Sequence, residues 1–257
     1  MLFNPLQLEL GMITRTKKSV TDFGGDGQVI ILLHGFLSSS KFWKQLQPVL
    51  SASGYRVIAI DLLGFGNAPK PTDSSYSYQE HLAYIDGVID KLKLDKPIAL
   101  IGHSMGALLS ARYAVLNPGK VSSLTLLHPP LFLDKMEART ALRATGRLYR
   151  FLLYSKYRRF GWAIIKTFNL YQIDKHSRIA RELSLKNVIE ASEMLGDLAI
   201  IDTKSLLLVG LKDRPEYARN IKTARFSDRV KVITKNVAHN SPSSSPLLIQ
   251  QSIIDFL

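Results

Sequence analysis

The sequence predicts an α/β fold in which a mostly parallel β-sheet is flanked by helices and interrupted by a helical insertion. Three observations support this prediction. Apolar, β-branched runs alternate with segments of helical periodicity, which is typical of βαβ units. The runs are apolar on both faces, as in strands that helices cover on both sides of a sheet. The alternation stops near residue 130 and resumes near residue 198.

The elements of the first half follow from this alternation. Strands are predicted at Val29–Leu33, 55–61, 97–101 and Val121–Leu127. Helices are predicted between them at 41–50, 78–92 and 104–116, the last of which ends before the Pro-Gly pair at 118–119. The chain therefore alternates strand and helix up to residue 130.

The second half contains the insertion and the end of the sheet. Residues 131–197 are rich in helix-forming sequence, lack a convincing strand and are too long for a single crossover helix. Strands return at 205–209 and 230–234, and a helix at 246–257 closes the chain after a serine-rich loop at 241–245. We therefore predict a core formed by residues 1–130 and 198–257, covered by a helical cap at residues 131–197.

Composition excludes several classes of protein. The chain has 257 residues, of which 46% are hydrophobic, and no cysteine. These values suit a large globular domain and argue against a disordered chain. Without cysteine, a catalytic nucleophile must be an oxygen or an amine. Apolar runs fall short of the roughly 18 residues of a membrane span, and residues 1–10 lack the features of a signal peptide, so we expect a cytoplasmic protein.

Most of the formal charge of +13 lies in the insertion. Residues 139–181 contain eleven basic residues and one acid, Asp174, and therefore contribute +10. The helical spacing of the first basic residues predicts that they share one face of a helix. These residues are Arg139, Arg143, Arg147 and Arg150. The aromatic residues of the same stretch are Tyr149, Phe151, Tyr154, Tyr157, Phe160, Trp162, Phe168 and Tyr171.

This pattern has two interpretations. It suits a lid that contacts an anionic membrane or an anionic, partly apolar substrate. It equally suits a solvated charged face over an aromatic core. Nucleic acid is not an expected partner, because no recognition motif accompanies the charge.

One short motif carries the chemistry. Residues 102–106 read Gly-His-Ser-Met-Gly between a predicted strand and a predicted helix, which is the context of a nucleophile elbow. The turn is so tight that Gly102 and Gly106 must lack bulk, and it lifts the hydroxyl of Ser104 into the cleft. The alternative is a glycine-rich turn with a serine N-cap.

A serine nucleophile needs a base and an orienting carboxylate. Of the six histidines, His239 alone lies after the last predicted strand and before the final helix, at the same end of the sheet as Ser104. Asp213 follows the strand at 205–209, whereas Asp202 and Asp228 precede strands and belong to the opposite end. Ser104, Asp213 and His239 are therefore the predicted catalytic triad, in the chain order serine, acid, histidine.

The oxyanion hole and pocket are predicted from the neighbouring loops. The backbone N–H of Met105 lies at a helix N-terminus, where amides are unpaired, and the second donor is expected from Phe36 after the first strand. The predicted pocket residues are His34, Gly35, Leu37 and His103. No metal site is predicted.

Together these motifs resemble the α/β-hydrolase superfamily, in its Ser-His-Asp branch similar to carboxylesterases and lipases. The resemblance is carried by His34-Gly35-Phe36, Asp61-x-x-Gly64-x-Gly66, Gly102-His103-Ser104-Met105-Gly106, Gly210-x-x-Asp213 and His239. It implies a mostly parallel sheet, a helical lid inserted after the sixth strand, and acyl-enzyme chemistry without a cofactor. Ser104 argues against the haloalkane dehalogenase and epoxide hydrolase branches, which resemble this fold but use an aspartate at that position.

The leading hypothesis is a serine hydrolase that cleaves a small-molecule carboxylic ester with an apolar acyl group. A thioesterase or a carbon–carbon bond hydrolase would share the same triad. A hydrolase-like ligand receptor or partner-binding protein, which retains the pocket, is the alternative from another class.

Overall fold

The computed structural model describes residues 19–168 and 174–257. Residues 1–18 and 169–173, which include Tyr171 of the predicted aromatic cluster, lie outside the described residues. The described residues form a seven-stranded sheet of order β1-β3-β2-β4-β5-β6-β7. The strands are β1 (Val20–Asp22), β2 (Val29–Leu33), β3 (Arg56–Ile60), β4 (Ile98–His103), β5 (Val121–Leu127), β6 (Ser205–Gly210) and β7 (Val230–Lys235). All pairs are parallel except β1 with β3, at the edge of the sheet.

Helices connect the strands and fill the insertion. They are α1 (Gln47–Ala52), α2 (Tyr78–Lys91), α3 (Met105–Leu116), α4 (Lys135–Ala144), α5 (Arg147–Tyr154), α6 (Arg158–Phe168), α7 (Arg178–Ser184), α8 (Met194–Ile200), α9 (Pro215–Thr223), α10 (Ser241–Ser244) and α11 (Gln250–Ile254). Short turns of 3-10 helix occupy Ser40–Lys44 and Pro246–Leu248, and a π-helical turn occupies Leu185–Ile189. Within these described ranges, no helix is both long enough and apolar enough to cross a membrane.

The central strands of the sheet are buried on both faces, as their sequence predicts. Side chains of a strand alternate between the faces. In β2, Ile30 and Leu32 pack in the same apolar layer as Trp43, whereas Ile31 and Leu33 pack in the layer that contains α2 and α3. These four side chains are inaccessible to solvent. The prediction of an α/β sheet covered by helices is therefore confirmed.

The strand order places two loops side by side. The chain leaves β2 for β3 on one side and then returns to β4 on the other side of β2. Leu33 at the end of β2 lies opposite Gly102 in β4. The loop after β2 and the turn after β4 therefore diverge at a topological switch point, where open α/β sheets form their binding crevice.

Some element boundaries differ from the prediction for local reasons. The helix predicted at 41–50 is a 3-10 turn followed by α1, because Pro48 lies in the first turn of α1, where its missing N–H costs nothing. The loop predicted at 241–245 contains α10, which has Pro242 in its first turn. The helix predicted at 246–257 is divided into a 3-10 turn and α11. The edge strand β1 was not predicted.

A helical segment lies between β5 and β6, and we call residues 131–197 the cap segment. It follows the fifth of the described strands, whereas the resemblance implied an insertion after the sixth strand. The predicted boundary at residue 197 falls within α8, which is joined to α3 by an ion pair of 2.7 Å between Arg112 Nε and Asp197 Oδ1.

The prediction of one helix carrying four arginines is wrong. Arg139 and Arg143 lie in α4, whereas Arg147 and Arg150 lie in α5. The helix ends because the Thr145 hydroxyl donates to the Leu142 carbonyl oxygen (2.8 Å), and Gly146 adopts φ 135°, which side-chain-bearing residues rarely adopt.

Candidate active site

The turn between β4 and α3 holds Ser104 in a strained conformation, with φ 52° and ψ −118°. A Cβ atom added to Gly102 would lie 2.4 Å from the Gly106 carbonyl oxygen, and one added to Gly106 would lie 2.2 Å from the Leu33 carbonyl oxygen. Both positions therefore require glycine, as a nucleophile elbow does. The Ser104 side chain makes no capping hydrogen bond to α3, so the N-cap alternative is not supported.

The three predicted triad residues form a continuous hydrogen-bonded chain. Ser104 Oγ lies 3.0 Å from His239 Nε2, and His239 Nδ1 lies 2.6 Å from Asp213 Oδ2. The other carboxylate oxygen of Asp213 accepts the backbone N–H of Arg214 at 2.9 Å. His239 therefore has one ring nitrogen oriented by a carboxylate and the other available to a serine hydroxyl, which is the geometry required to deprotonate Ser104.

The loop after β2 approaches the elbow closely. A Cβ atom added to Gly35 would lie 3.1 Å from Ser104 Cβ and 2.9 Å from His103 Nδ1. This contact places the backbone of Phe36 beside the serine. The N–H groups of Phe36 and Met105 have no hydrogen-bond partner in the described parts of the chain. Two unpaired amides near the hydroxyl, one of them at a helix N-terminus, can stabilise negative charge.

A cavity of about 820 Å³ adjoins Ser104 and His239. Gly35, Leu37 and His103 line it, as predicted from the sequence. Further apolar lining residues are Phe42, Pro130, Ala141, Leu142, Ile189 and Tyr217. Residues of the core and of the cap segment thus line one cavity beside the triad.

His34 does not line this cavity, contrary to the prediction. It is inaccessible to solvent, and its Nε2 accepts the backbone N–H of Leu62 at 2.9 Å. Its Nδ1 lies 2.7 Å from the Gly35 carbonyl oxygen and therefore carries the proton. Burial lowers the pKa of His34. The neutral ring stabilises the loop after β2, because both of its nitrogens form hydrogen bonds with backbone groups.

His103 holds the backbone of the predicted base, His239, in place. Its Nε2 donates to the backbone carbonyl oxygen of His239 at 2.9 Å, and its ring stacks on Phe42 with centroids 4.4 Å apart. Burial, followed by the neighbouring histidines His239 and His128, holds the pKa of His103 well below its ordinary value. A neutral His103 can therefore fix the histidine loop without placing a second charge beside it.

Sequence reasoning did not give His128 a role, although it lies at the centre of the site's support. His128 Nδ1 accepts the backbone N–H of Gly210 at 3.0 Å, and its Nε2 donates to Ser241 Oγ at 2.7 Å. Burial lowers its pKa to about 4. This ring therefore joins the loop that carries Asp213 to the segment that follows His239. The one signal in the sequence is a histidine at the end of a buried strand, directly before two prolines.

The cap segment is attached to the acid loop through Arg214. Its guanidinium donates to the Ala141 carbonyl oxygen at 2.8 Å and to Thr145 Oγ1. Ala141 lies in the last turn of α4 and Thr145 directly follows this helix, and both residues line the cavity. In the described parts of the chain, no group of three or more histidine, aspartate and glutamate side chains is arranged to hold a metal ion.

A nucleophile elbow at the switch point of a mostly parallel sheet, with an acid after β6 and a histidine after β7, defines the α/β-hydrolase class. A family model described as the alpha/beta hydrolase fold matches residues 28–160, which is more than half of the chain. The chain belongs to this family.

Similarity to individual proteins covers part of the chain. The chain is 48% identical over 108 residues to probable lysophospholipase BODYGUARD 2 of Arabidopsis thaliana, which is 40% of this chain and 23% of that protein. It is 38% identical over 96 residues to a haloalkane dehalogenase of Psychrobacter cryohalolentis, which is 37% of this chain and 31% of that protein. The match therefore spans less than a third of either relative's length.

Solved structures match over almost the whole chain. A thioesterase domain from the curacin biosynthetic pathway has a TM-score of 0.68 and 25% sequence identity, with 92% of this chain and 94% of that chain covered. This similarity extends over the described core and the cap segment together.

Proposed function

We propose that the protein is a serine hydrolase that cleaves a carboxylic ester through an acyl-enzyme intermediate. The observation that carries the proposal is the hydrogen-bonded chain from Ser104 through His239 to Asp213. Each atom in it has the partner that acyl transfer requires. Membership of the alpha/beta hydrolase fold family supports the same chemistry.

The reaction follows from the geometry. His239 Nε2 accepts the proton of the Ser104 hydroxyl as Oγ attacks the ester carbonyl, and Asp213 holds the resulting imidazolium. The negative charge on the carbonyl oxygen is stabilised by the N–H groups of Phe36 and Met105. His239 returns the proton to the leaving alcohol, and the acyl group stays on Oγ. A water molecule, deprotonated by His239, then releases the carboxylic acid and restores the serine.

The identity of the nucleophile separates this chain from some of its relatives. Haloalkane dehalogenases and epoxide hydrolases, which the chain partly matches, belong to branches that use an aspartate at the elbow. Position 104 is a serine, whose neutral hydroxyl needs His239 as a base. The plant relatives named as probable lysophospholipases fit a serine nucleophile and an ester substrate.

The cavity favours an apolar acyl group. Leu37 and Phe42 of the core line it together with Leu142 and Ile189 of the cap segment. Burial of methylene groups against such a lining contributes about 0.8 kcal/mol per CH₂. We therefore expect kcat/KM to rise with the acyl chain length until the cavity is filled.

A p-nitrophenyl ester series measured on the wild type and on Ser104→Ala tests the proposal. We expect the variant to lose at least about 10³-fold in kcat, and the exposed Ser53→Ala control to match the wild type. Mass spectrometry after treatment with a fluorophosphonate should find the adduct on Ser104. Ester turnover that is unchanged in Ser104→Ala would refute the proposal, and multiple turnover would exclude a receptor without catalytic activity.

Thioester cleavage is the second candidate. The similarity to a thioesterase domain, 25% identical over nearly the full chain, favours it. The same triad serves both reactions, so the leaving group decides between them. Acyl-thioester and oxyester substrates with matched acyl chains should be compared by kcat/KM, and a higher value for the thioester would assign the second candidate.

A further inference from the structure

A basic surface pocket lies on the outer side of the cap segment, separate from the cavity beside the triad. It has a volume of about 640 Å³. Its lining residues are Arg143, Arg147, Leu148, Arg150, Phe151, Tyr154 and Ser155. They come from the end of α4 and from α5, so the break at Gly146 creates the concave shape.

The three arginines of this pocket are exposed and unneutralised. In residues 19–168 and 174–257, no carboxylate forms an ion pair with Arg143, Arg147 or Arg150. Arg143 instead lies over the Tyr154 ring at 5.1 Å. Three positive charges in one pocket repel each other, and an anionic ligand would relieve that repulsion.

Two other arginines of the cap segment form ion pairs. Arg139 Nε lies 2.8 Å from Glu190 Oε2, and Arg158 is 3.1 Å from Glu182. Both acids follow the basic stretch in sequence. The positive charge of residues 139–181 is thus partly cancelled, whereas the three arginines that share the pocket are not paired with acids.

Apolar side chains adjoin these charges. Leu148 in the pocket is 49% exposed, while Tyr157 and Phe160, on either side of the start of α6, are 60% and 67% exposed. A Cβ atom added to Gly161 would lie 2.5 Å from Phe151, so the start of α6 packs directly against the pocket wall. Exposed aromatic and aliphatic side chains beside basic residues are typical of surfaces that enter the headgroup region of a membrane.

We propose that this face of the cap segment docks on an anionic phospholipid membrane. The guanidinium groups of Arg143, Arg147 and Arg150 bind lipid phosphates, and Leu148, Tyr157 and Phe160 enter the interfacial layer. Charge complementarity selects this occupant, because the pocket offers cations and exposed apolar groups together. The docking surface does not depend on the proposed ester hydrolysis.

Docking of this face brings the triad cavity close to the lipid. Tyr149 of α5 and Thr145 line that cavity, whereas their neighbours Leu148 and Arg150 line the basic pocket. The helix α5 therefore borders both the basic pocket and the triad cavity.

Vesicle co-sedimentation tests the proposal. The full chain is mixed with vesicles of phosphatidylcholine alone or with about 30% phosphatidylserine, at low and high ionic strength. We expect binding to the anionic vesicles that is lost at high salt. Replacing Arg143, Arg147 and Arg150 together by Gln should weaken binding by about 100-fold, at about five-fold for each arginine.

Matched variants separate this surface from general charge. Replacing Lys93, Lys96 and Lys231 by Gln removes the same charge from the core and should leave binding nearly unchanged. The double variant Leu148→Ser/Phe160→Ser should weaken binding without any change in charge. Circular dichroism should first show that each variant is folded.

Several results would overturn the proposal. These are equal binding by the triple arginine variant and the wild type, equal binding to neutral vesicles, and displacement from vesicles by soluble glycerophosphate or by a DNA duplex at comparable phosphate concentration. Ser104→Ala should bind vesicles like the wild type, so failure of docking and failure of the proposed hydrolysis can be distinguished.

Discussion

Burial of His81 is expected to make the protein less stable in acid. His81 lies in α2, is inaccessible to solvent, and its Nε2 is 3.0 Å from Ser184 Oγ in α7. Burial lowers its pKa from the ordinary 6.5 to about 3. Between these values the unfolded chain binds a proton that the folded chain does not bind. The free energy of unfolding therefore falls as the pH falls through 6.5.

The size of this effect follows from the two pKa values. A pH of about 5 lies about 1.5 units below the pKa of histidine in the unfolded chain. Protonation of the unfolded chain therefore lowers the free energy of unfolding by about 2 kcal/mol relative to about pH 7.5. His128, whose pKa burial lowers to about 4, adds a similar amount. The two residues together would remove about 4 kcal/mol, a large part of the roughly 5–15 kcal/mol that stabilises a typical domain.

Urea unfolding of the wild type and of His81→Gln, followed by circular dichroism at both pH values, measures the contribution of His81. Gln retains a polar end toward Ser184 but does not titrate. We expect the loss of stability between the two pH values to be about 2 kcal/mol smaller in the variant. Any packing defect cancels, because it is present at both pH values. The same pH dependence in both proteins would refute the reasoning.

Three further predictions concern the elbow and its supporting loops. Gly102→Ala should prevent folding or abolish activity, because its Cβ would lie 2.4 Å from a backbone oxygen, whereas Gly87→Ala, with open space within 4 Å, should raise the thermal midpoint. His128→Asn, which keeps an acceptor for the Gly210 N–H, should retain more kcat than His128→Leu, with KM little changed; equal losses would contradict a positioning role. Arg214→Met should speed tryptic cleavage within the cap segment, and an unchanged rate would show that other contacts hold it.

The core of the fold could be predicted because its signals are local. The bounds of β2 and β5 match the apolar runs from which they were predicted. The sequence predicts Ser104 from the motif at residues 102–106, and Asp213 and His239 from strand ends and chain order; the three side chains lie within hydrogen-bond distance of one another. Parallel strands bring their carboxyl ends to one edge, so a residue that follows a strand is already placed near the others.

The cap segment was predicted less well because its contacts are distant in sequence. The arginine spacing continues across Gly146, which hides the break between α4 and α5. Glu190 neutralises Arg139 from 51 residues away, a pairing that counting charges in a window does not detect. His34 was placed in the pocket because it lies in the correct loop, but the N–H that it accepts comes from Leu62, on a different loop.

The buried histidines around the triad link catalysis to the stability of the site. His128 can accept the Gly210 N–H only while Nδ1 is unprotonated, and burial keeps it so down to about pH 4. Protonation below that value replaces an acceptor with a second donor and adds a charge beside His239, whose ring centroid is 6.1 Å away. The acid loop and the histidine loop then lose the contact that joins them. Protonation of His128 in this range should therefore loosen both loops together.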